Sequence, residues 1–357
     1  MRPLKIFFKI LGAVILLALA FLIVAGLLAT FTDYRPPASE ILQPKGKISS
    51  DRIVKDTLRL MSWNIGYAGL GAQMDFFYDG GNQVRPSREY YQKTFEGIKT
   101  VLQTNDTMDF ILLQEVDKKA RRSYRNDQEE QIIAFMPDYE SVFAKNYDVL
   151  FVPVPLNDPM GKVVAGLMSL SQYVPVAAER VSFPGNYSWP KGIFMLDRCY
   201  ITEHFVTDNG NILVLINTHN SAFDDGTLRK EQFDLLRKAA LDAYAMGYYV
   251  IIGGDWNQNP PGFDPSLIQN GDLTQHHDLP NVPKDFVPPG WTWAFDPSLP
   301  SNRDAGVVYH KGKTTTTILD YFLLSPNVQL LSVKTLDLGF RFSDHNPVTL
   351  TVKLKNR

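Results

Sequence analysis

Cysteine is nearly absent: Cys199 stands alone in 357 residues, so no internal disulfide holds the chain together. Stability must then come from a buried core, which a chain of this length with 45% hydrophobic residues can supply. A thiol catalyst has the same single candidate. Cys199 lies in the apolar stretch RCYITEHF, where a thiol is expected to pack as a small hydrophobe. Cationic excess is missing too. The formal net charge is −2 and falls to about −4 when residues 1–33 are set aside, which argues against a dedicated nucleic-acid binder. No short fixed period recurs, so a solenoid is excluded.

What the sequence does have begins with one long apolar run. From Ile10 to Thr32 no residue is charged, and ILGAVILLALAFLIVAGLLATF is long enough to cross a hydrocarbon core of ~30 Å. Arg2, Lys5 and Lys9 precede it, which predicts a cytoplasmic N-terminus and an extracytoplasmic remainder. Cleavable signals have shorter apolar cores of ~7–15 residues, so a retained single-pass anchor over residues 1–32 is expected rather than a secreted product. No Cys ends the run, so lipidation there is excluded. Residues 33–56, rich in Pro, Ser and Lys, read as a tether. Residues 57–357 form the globular part.

Within it, Leu58–Trp63 reads as a strand followed by a glycine-rich loop. Residues 87–103 read as a helix with Tyr91, Phe95, Ile98 and Leu102 on one face. Asp109–Gln114 is a short apolar strand ending on Glu115. The hairpin signal Asp208–Gly210 precedes a strand at Ile212–Asn217, an amphipathic helix at Thr227–Tyr244 and a strand at Tyr248–Gly253. Late strands are expected at Thr317–Leu324, Gln329–Leu336 and Pro347–Leu354. Two strand–helix–strand halves with many further strands predict a layered α/β sandwich.

The chemistry sits at strand ends. Asn64, Glu115, His219, Asp255 with Asn257, Asp320, and Asp344 with His345 each follow an apolar run. In VIIGGDWNQNP, strand alternation predicts that Asp255 and Asn257 face one spot. Asp320 stands inside the apolar run ILDYFLL, where a carboxylate must be paired. Each residue alone has a structural explanation, as a turn former or a hydrogen-bonded core group. Together they mark one site.

WNI at 63–65, LQEV at 113–116, NTH at 217–219, GDWN at 254–257, LDYFLL at 319–324 and SDHNPV at 343–348 resemble, in order, the motif set of the endonuclease/exonuclease/phosphatase superfamily. That superfamily includes pancreatic-type deoxyribonucleases, abasic-site endonucleases, neutral sphingomyelinases and inositol polyphosphate 5-phosphatases. The resemblance implies a four-layer α/β/β/α sandwich, here behind an N-terminal transmembrane helix, with one metal-dependent site between the sheets. Four carboxylates in one cleft would repel one another unless a cation compensates, and oxygen donors favour a hard ion, Mg²⁺ or Mn²⁺. Glu115 is the first-choice ligand, with Asn64 and Asp344 beside it.

Asp255 and Asn257 would hold and fix an attacking water. His345 would accept a proton or, as imidazolium, stabilise the phosphate, with Asp320 orienting it. His219 would donate to the phosphoryl oxygens. Asn220 and Arg122, the latter within KKARRSYR at 118–125, are candidate substrate contacts. Many relatives carry a basic residue where Ile318 stands here, which bears on one substrate contact. The aromatic insertion Phe76–Tyr78 is expected to line the cleft or to cover the sheet edge, and Trp291 or Trp293 to lie near the site.

The expected activity is hydrolysis of a phosphodiester or phosphomonoester by direct attack of water, on nucleic acid or a lipid head group, with no protein partner. A binding module that kept the fold and lost the activity should lack Glu115, Asp255, His219 or His345, and none is missing.

Overall fold

In the computed structural model, which describes residues 2–47, 50–222, 226–268 and 281–355, the apolar runs become the strands of two facing sheets. The chain opens with α1 (Arg2–Phe31), a mostly exposed helix long and apolar enough to cross a membrane. Then come β1 (Ser39–Ile41), β2 (Arg52–Ile53) and β3 (Thr57–Asn64). The first half continues through α2 (Arg88–Thr104), β4 (Phe110–Asp117) and α3 (Gln128–Phe135). The middle of the chain supplies β5 (Glu140–Val152), β6 (Gly161–Ser171), β7 (Ala177–Ser182), β8 (Cys199–Thr207) and β9 (Ile212–His219). The second half adds α4 (Thr227–Ala245), β10 (Tyr249–Asp255) and β11 (Thr292–Ala294). It closes with β12 (Asn302–Arg303), β13 (Thr316–Thr317), β14 (Asp320–Leu324), β15 (Val328–Thr335) and β16 (Val348–Leu354).

One sheet has the order β15-β16-β3-β4-β6-β5; the other runs β1-β7-β8-β9-β10-β14-β11, with β2 added to β8. The parallel pairs β3/β4 and β9/β10 are each joined by a helix, which must cross on an outer face. Three apolar layers follow. Leu60, Phe110, Leu112, Leu215, Ile251 and Phe322 fill the space between the sheets. Met61, Ile111 and Leu113 point the other way, toward Phe95, Ile98 and Leu102 of α2. Val250 and Ile252 meet Phe233 and Leu236 of α4. The result is the four-layer α/β/β/α sandwich expected from the sequence. Each such Leu, Ile or Phe contributes roughly 1.5–3 kcal/mol by leaving water. Ser87 starts α2 by accepting a hydrogen bond from the Tyr90 amide at 3.1 Å.

The structure refines the sequence reading in several places. Of segment 33–56, expected as a tether, the described residues 33–47 and 50–56 include two short strands that pair with the domain. β1 pairs with β7, β2 pairs with β8, and the Tyr34 ring lies 3.8 Å from Lys145 Nζ. The strand expected over Thr317–Leu324 is two pieces, because the Ser301 hydroxyl accepts from the amides of Leu319 and Asp320, both at 2.9 Å. Trp291 and Trp293 are half-buried and pack on the aromatic cluster beneath α4, Trp291 on Tyr244 and Trp293 on Phe286 and on Trp256, the neighbour of Asp255. Of the two readings of the aromatic insertion, covering the sheet edge holds: Phe76 and Phe77 pack on the cluster of Tyr147, Val149 and Val152, and Tyr78 donates to the Val154 carbonyl at 2.6 Å. Cys199 is fully buried, and burial pushes its thiol up to about 12, which makes it inert.

One buried acid bears on stability. Glu203 points between the sheets, and burial pushes its carboxyl up to about 7, with Ser169 offsetting only part of this. Its folded pKa lies above the unfolded value near 4.5, so its contribution is fully favourable below that value and is lost as pH rises toward 7. Glu203→Gln, which stays neutral, should therefore be the more stable form around pH 8, by roughly 2–3 kcal/mol, with the gap closing in acid. Urea denaturation of both proteins at the two ends of that range measures it.

Candidate active site

The sheets carry the polar strand ends to one edge. In the second sheet β9, β10 and β14 lie side by side, and their register sets His219 opposite Asp255 and Asp255 opposite Asp320. Three chemical groups thus form one row across three strands. β3 and β4 supply the facing wall. Asn64, the last residue of β3, donates Nδ2 to Glu115 Oε1 at 3.1 Å and to Asp255 Oδ2 at 3.0 Å, which ties the two sheets together at the site. Its Oδ1 accepts from the Gly66 amide at 3.0 Å. Gly66 has a φ of +49°, and a Cβ there would stand 3.0 Å from Asp344 Oδ1, so the turn beside the site requires glycine.

Glu115 reaches the cleft through a bulge. The register of β4 against β6 slips between Leu113 and Val116, and Glu115 takes a φ of +56°. That left-handed residue turns the carboxylate into the cleft. Trp63 locks the opposite loop by donating Nε1 to the His345 carbonyl at 2.9 Å.

His345 stands between two carboxylates. Its Nδ1 is 2.7 Å from Asp320 Oδ2, and its Nε2 is 3.7 Å from Asp255 Oδ2 and 3.0 Å from Asn302 Nδ2. The pairing required of Asp320 by its apolar strand is therefore with His345. Burial alone would depress the imidazole, but Asp320, Asp255 and Asp344 outweigh it and hold His345 well above the usual histidine range. Asn302 Nδ2 donating to Nε2 suits the neutral ring; the imidazolium needs that amide turned so that its oxygen faces Nε2. His219 behaves oppositely. Its Nε2 is 3.4 Å from Asp255 Oδ2, and burial, with Arg198 and His345 nearby, drives it well below the usual range. Its Nδ1 is buried without a partner among the described residues.

Burial raises Asp255 to about 7, with Asp320 pushing further up and His345 pulling down. Asp344 is raised to about 6 by burial and by the charge of Glu115, against His345. Glu115 and Asp344 thus form an all-oxygen pair short of positive charge, with Asn64 beside them. This donor set fits a hard divalent cation. Asp255, Asp320 and His345 also bring ligand atoms within 4.8 Å of one another, but the Asp320–His345 hydrogen bond already occupies Nδ1.

The remaining candidates are placed differently from one another. Asn257 has left the strand with a φ of +50°. The turn therefore sets its position, not the strand alternation expected from the sequence. Its amide nitrogens are engaged, N to Asp255 Oδ1 at 2.9 Å and Nδ2 to the Asn220 carbonyl at 2.8 Å. Asn220 Nδ2 is buried and has no partner among the described residues, while Oδ1 accepts from Thr218. Arg122 is buried, chelates Asp117 through Nε and Nη2 at 3.1 and 2.8 Å, and stacks 3.7 Å from the Tyr67 ring. That guanidinium holds the wall behind Glu115.

Two residues of the site escaped the sequence reading. Asn302 sits in a proline- and serine-rich loop with no local signal. Arg198, directly before β8, has a buried Nη1 without a partner among the described residues. Burial lowers its pKa against the attraction of Glu115 and Asp255. A cation placed just before an apolar strand is the one local signal for Arg198.

This arrangement defines a phosphoester-hydrolase fold, and the comparisons agree. Residues 61–345 match the model of the Endonuclease/Exonuclease/phosphatase family, and the chain belongs to that family, whose members are hydrolases of phosphoester bonds. Comparison with curated proteins returned no match. Among solved structures, the chain is similar to an endonuclease/exonuclease/phosphatase from Beutenbergia cavernae DSM 12333, with 18% identity, TM-score 0.56, and 85% of this chain and 72% of that one covered. It is similar to ANGEL2, a 2′,3′-cyclic phosphatase, with 15% identity, TM-score 0.55, and 89% and 100% covered. D. rerio TDP2 complexed with single-strand DNA product gives 15% identity, TM-score 0.51, and 84% and 100% covered. At these identities the likeness is one of fold.

Proposed function

We propose that the chain is a membrane-anchored, extracytoplasmic phosphoesterase that uses Mg²⁺, or Mn²⁺, to hydrolyse a phosphodiester or phosphomonoester by direct attack of water. The observation that carries this reading is the row His219–Asp255–Asp320 with His345 seated on Asp320. Asp255, with a pKa raised to about 7, is suited to take a proton from a water near neutrality. Asn257 and Asn64 fix that carboxylate by donating to its two oxygens. His345, held toward its charged form by Asp320, offsets charge building on the phosphoryl group, and neutral His219 and the free Asn220 Nδ2 supply hydrogen bonds to its oxygens.

Glu115 and Asp344, with Asn64, would hold the cation, which when bound polarises the phosphoryl group and stabilises negative charge. Arg198 is the guanidinium free to meet a phosphate, in place of Arg122. The solved neighbours named for a cyclic phosphatase and for a single-strand DNA product support nucleic-acid esters as one substrate class, and α1 supports lipid head groups as the other.

The test uses the full chain in detergent with plasmid DNA, sphingomyelin and inositol phosphates, each with Mg²⁺ and with excess chelator. Turnover of one substrate should vanish with chelator. Calorimetry should show Mg²⁺ binding weakened about 10²-fold in Glu115→Gln, since it loses a charged ligand oxygen. Turnover that is indifferent to chelator, or unchanged Mg²⁺ binding in the variant, would sink the metal-dependent reading.

A further inference from the structure

Outside the catalytic cleft, the β5–β6 hairpin presents apolar side chains to solvent. In the β5–β6 hairpin, Val149 pairs with Val163 and Val152 with Gly161, so Leu150 and Phe151 together oppose Lys162 alone. Such a bulge breaks the alternation and turns two successive side chains outward. Both are exposed, Phe151 by 51%, and Leu156 at the hairpin tip is 90% exposed.

Leu150 and Phe151 border an open groove of about 570 Å³ whose other walls include Lys119, Arg121, Arg125 and Lys162. A second cavity of about 300 Å³ continues it past Arg85, Arg88 and Tyr124. Asp158 pairs with Arg85 at 2.6 Å and lies 3.6 Å from Arg121. Among the described residues, Arg125 and Lys162 have no ion-pair partner. A cationic groove edged by exposed Leu and Phe suits an anionic surface with an apolar interior.

The end of the apolar helix α1 lies near β5, the strand that carries Leu150 and Phe151. Trp189, 68% exposed, donates to the Thr30 hydroxyl near the end of α1 at 3.2 Å. The short helical turn that follows Trp189 packs on β5, where Tyr147 donates to the Phe194 carbonyl at 2.9 Å. Tyr34, just beyond α1, lies against Lys145 of β5. Tryptophan at a helix end is the side chain expected at a membrane–water boundary.

We infer that the face formed by the β5–β6 hairpin and the loop 118–125 docks on an anionic lipid bilayer beside the anchor, the hairpin's apolar side chains entering it and the cations meeting its phosphates. The inference rests on α1 being a retained span, and its readout is independent of catalysis. Because loop 118–125 begins three residues after Glu115, docking sets one rim of the cleft against the lipid surface.

The experiment places a polarity-sensitive fluorophore on Phe151→Cys, and separately on Leu156→Cys, in the full chain reconstituted into phosphatidylglycerol-containing or pure phosphatidylcholine nanodiscs. Cys199, fully buried, stays unlabelled, and Met246→Cys on an exposed site after α4 is the control. Co-elution with the discs reads the anchor. Acrylamide quenching reads the docking.

Labels at 151 and 156 should be shielded in anionic discs, and the control should not. Arg125→Glu with Lys162→Glu should abolish the shielding, each cation being worth about five-fold in surface attraction. Equal quenching at 151, 156 and 246 in a co-eluting chain overturns the docking and leaves the anchor standing. Shielding that appears only on adding a DNA oligonucleotide would make the groove a nucleic-acid surface and overturn it as well. A chain that elutes apart from the discs overturns both readings.

Discussion

Asp255→Asn should lower kcat by about 10²–10⁴-fold while KM changes little, the range expected when a positioned base is lost from the transition state. The substitution is close to isosteric. One oxygen still accepts from the Asn257 amide, so the turn that ends β10 survives. What disappears is the group that meets four others at once: Asn64, His219, His345 and Asn257 all approach its carboxylate. Removing a buried charge whose pKa has been raised to about 7 by burial should not unfold the protein, so the melting temperature should hold or rise. Steady-state kinetics and a thermal melt on the same preparation check both halves. A variant with near-normal kcat would remove Asp255 from the role of base and leave His345 as the remaining candidate.

How much of this was legible in the sequence depends on the kind of signal each residue leaves. Asn64, His219 and Asp255 stand where apolar runs stop, and a polar residue at the end of a buried strand is a local pattern. Asp320 announced itself through energy: an apolar strand cannot hold an unpaired carboxylate, and the structure gives it His345. A layered α/β sandwich followed from two strand–helix–strand units, and its four layers from the resemblance.

Other features depend on contacts that no local pattern encodes. The positive φ of Glu115 and Asn257 comes from a bulge and a turn closed by partners elsewhere in the chain. Asn302 reaches His345 across 43 positions. Residues 33–56 looked like a tether because they lack periodicity, yet a short edge strand needs only backbone pairing, and β1 finds it on β7. Arg122 and Arg198 are the clearest lesson. Arg122 stands in a basic run but its charge is consumed by Asp117, while Arg198, alone before a strand, keeps a buried Nη1 without a partner among the described residues.

That unpartnered arginine sets the second large effect. Burying guanidinium atoms costs several kcal/mol unless hydrogen bonds and counter-charge compensate, and the buried Arg198 Nη1 has no protein acceptor among the described residues. The carboxylates of Glu115 and Asp255 attract it from within the same cleft, but burial still lowers its pKa. Such a group is tolerated where a ligand completes it, and two oxygens of a phosphate can accept from the planar fork of a guanidinium.

Arg198→Met, which keeps the apolar stem, should therefore reduce kcat/KM by about 10²-fold, the loss expected for one or two charge-assisted hydrogen bonds. The same variant should melt at a higher temperature than the parent, because the unpaired charge is gone while the packing is kept. Arg198→Lys should recover only part of the activity, since an ammonium cannot make the paired contact. The two readouts separate the alternatives. Loss of both stability and activity would make Arg198 a structural residue, and an unchanged kcat/KM would place the phosphate elsewhere in the cleft. A gain in stability coupled to a loss in rate is the signature of a charge kept for substrate at the expense of the fold.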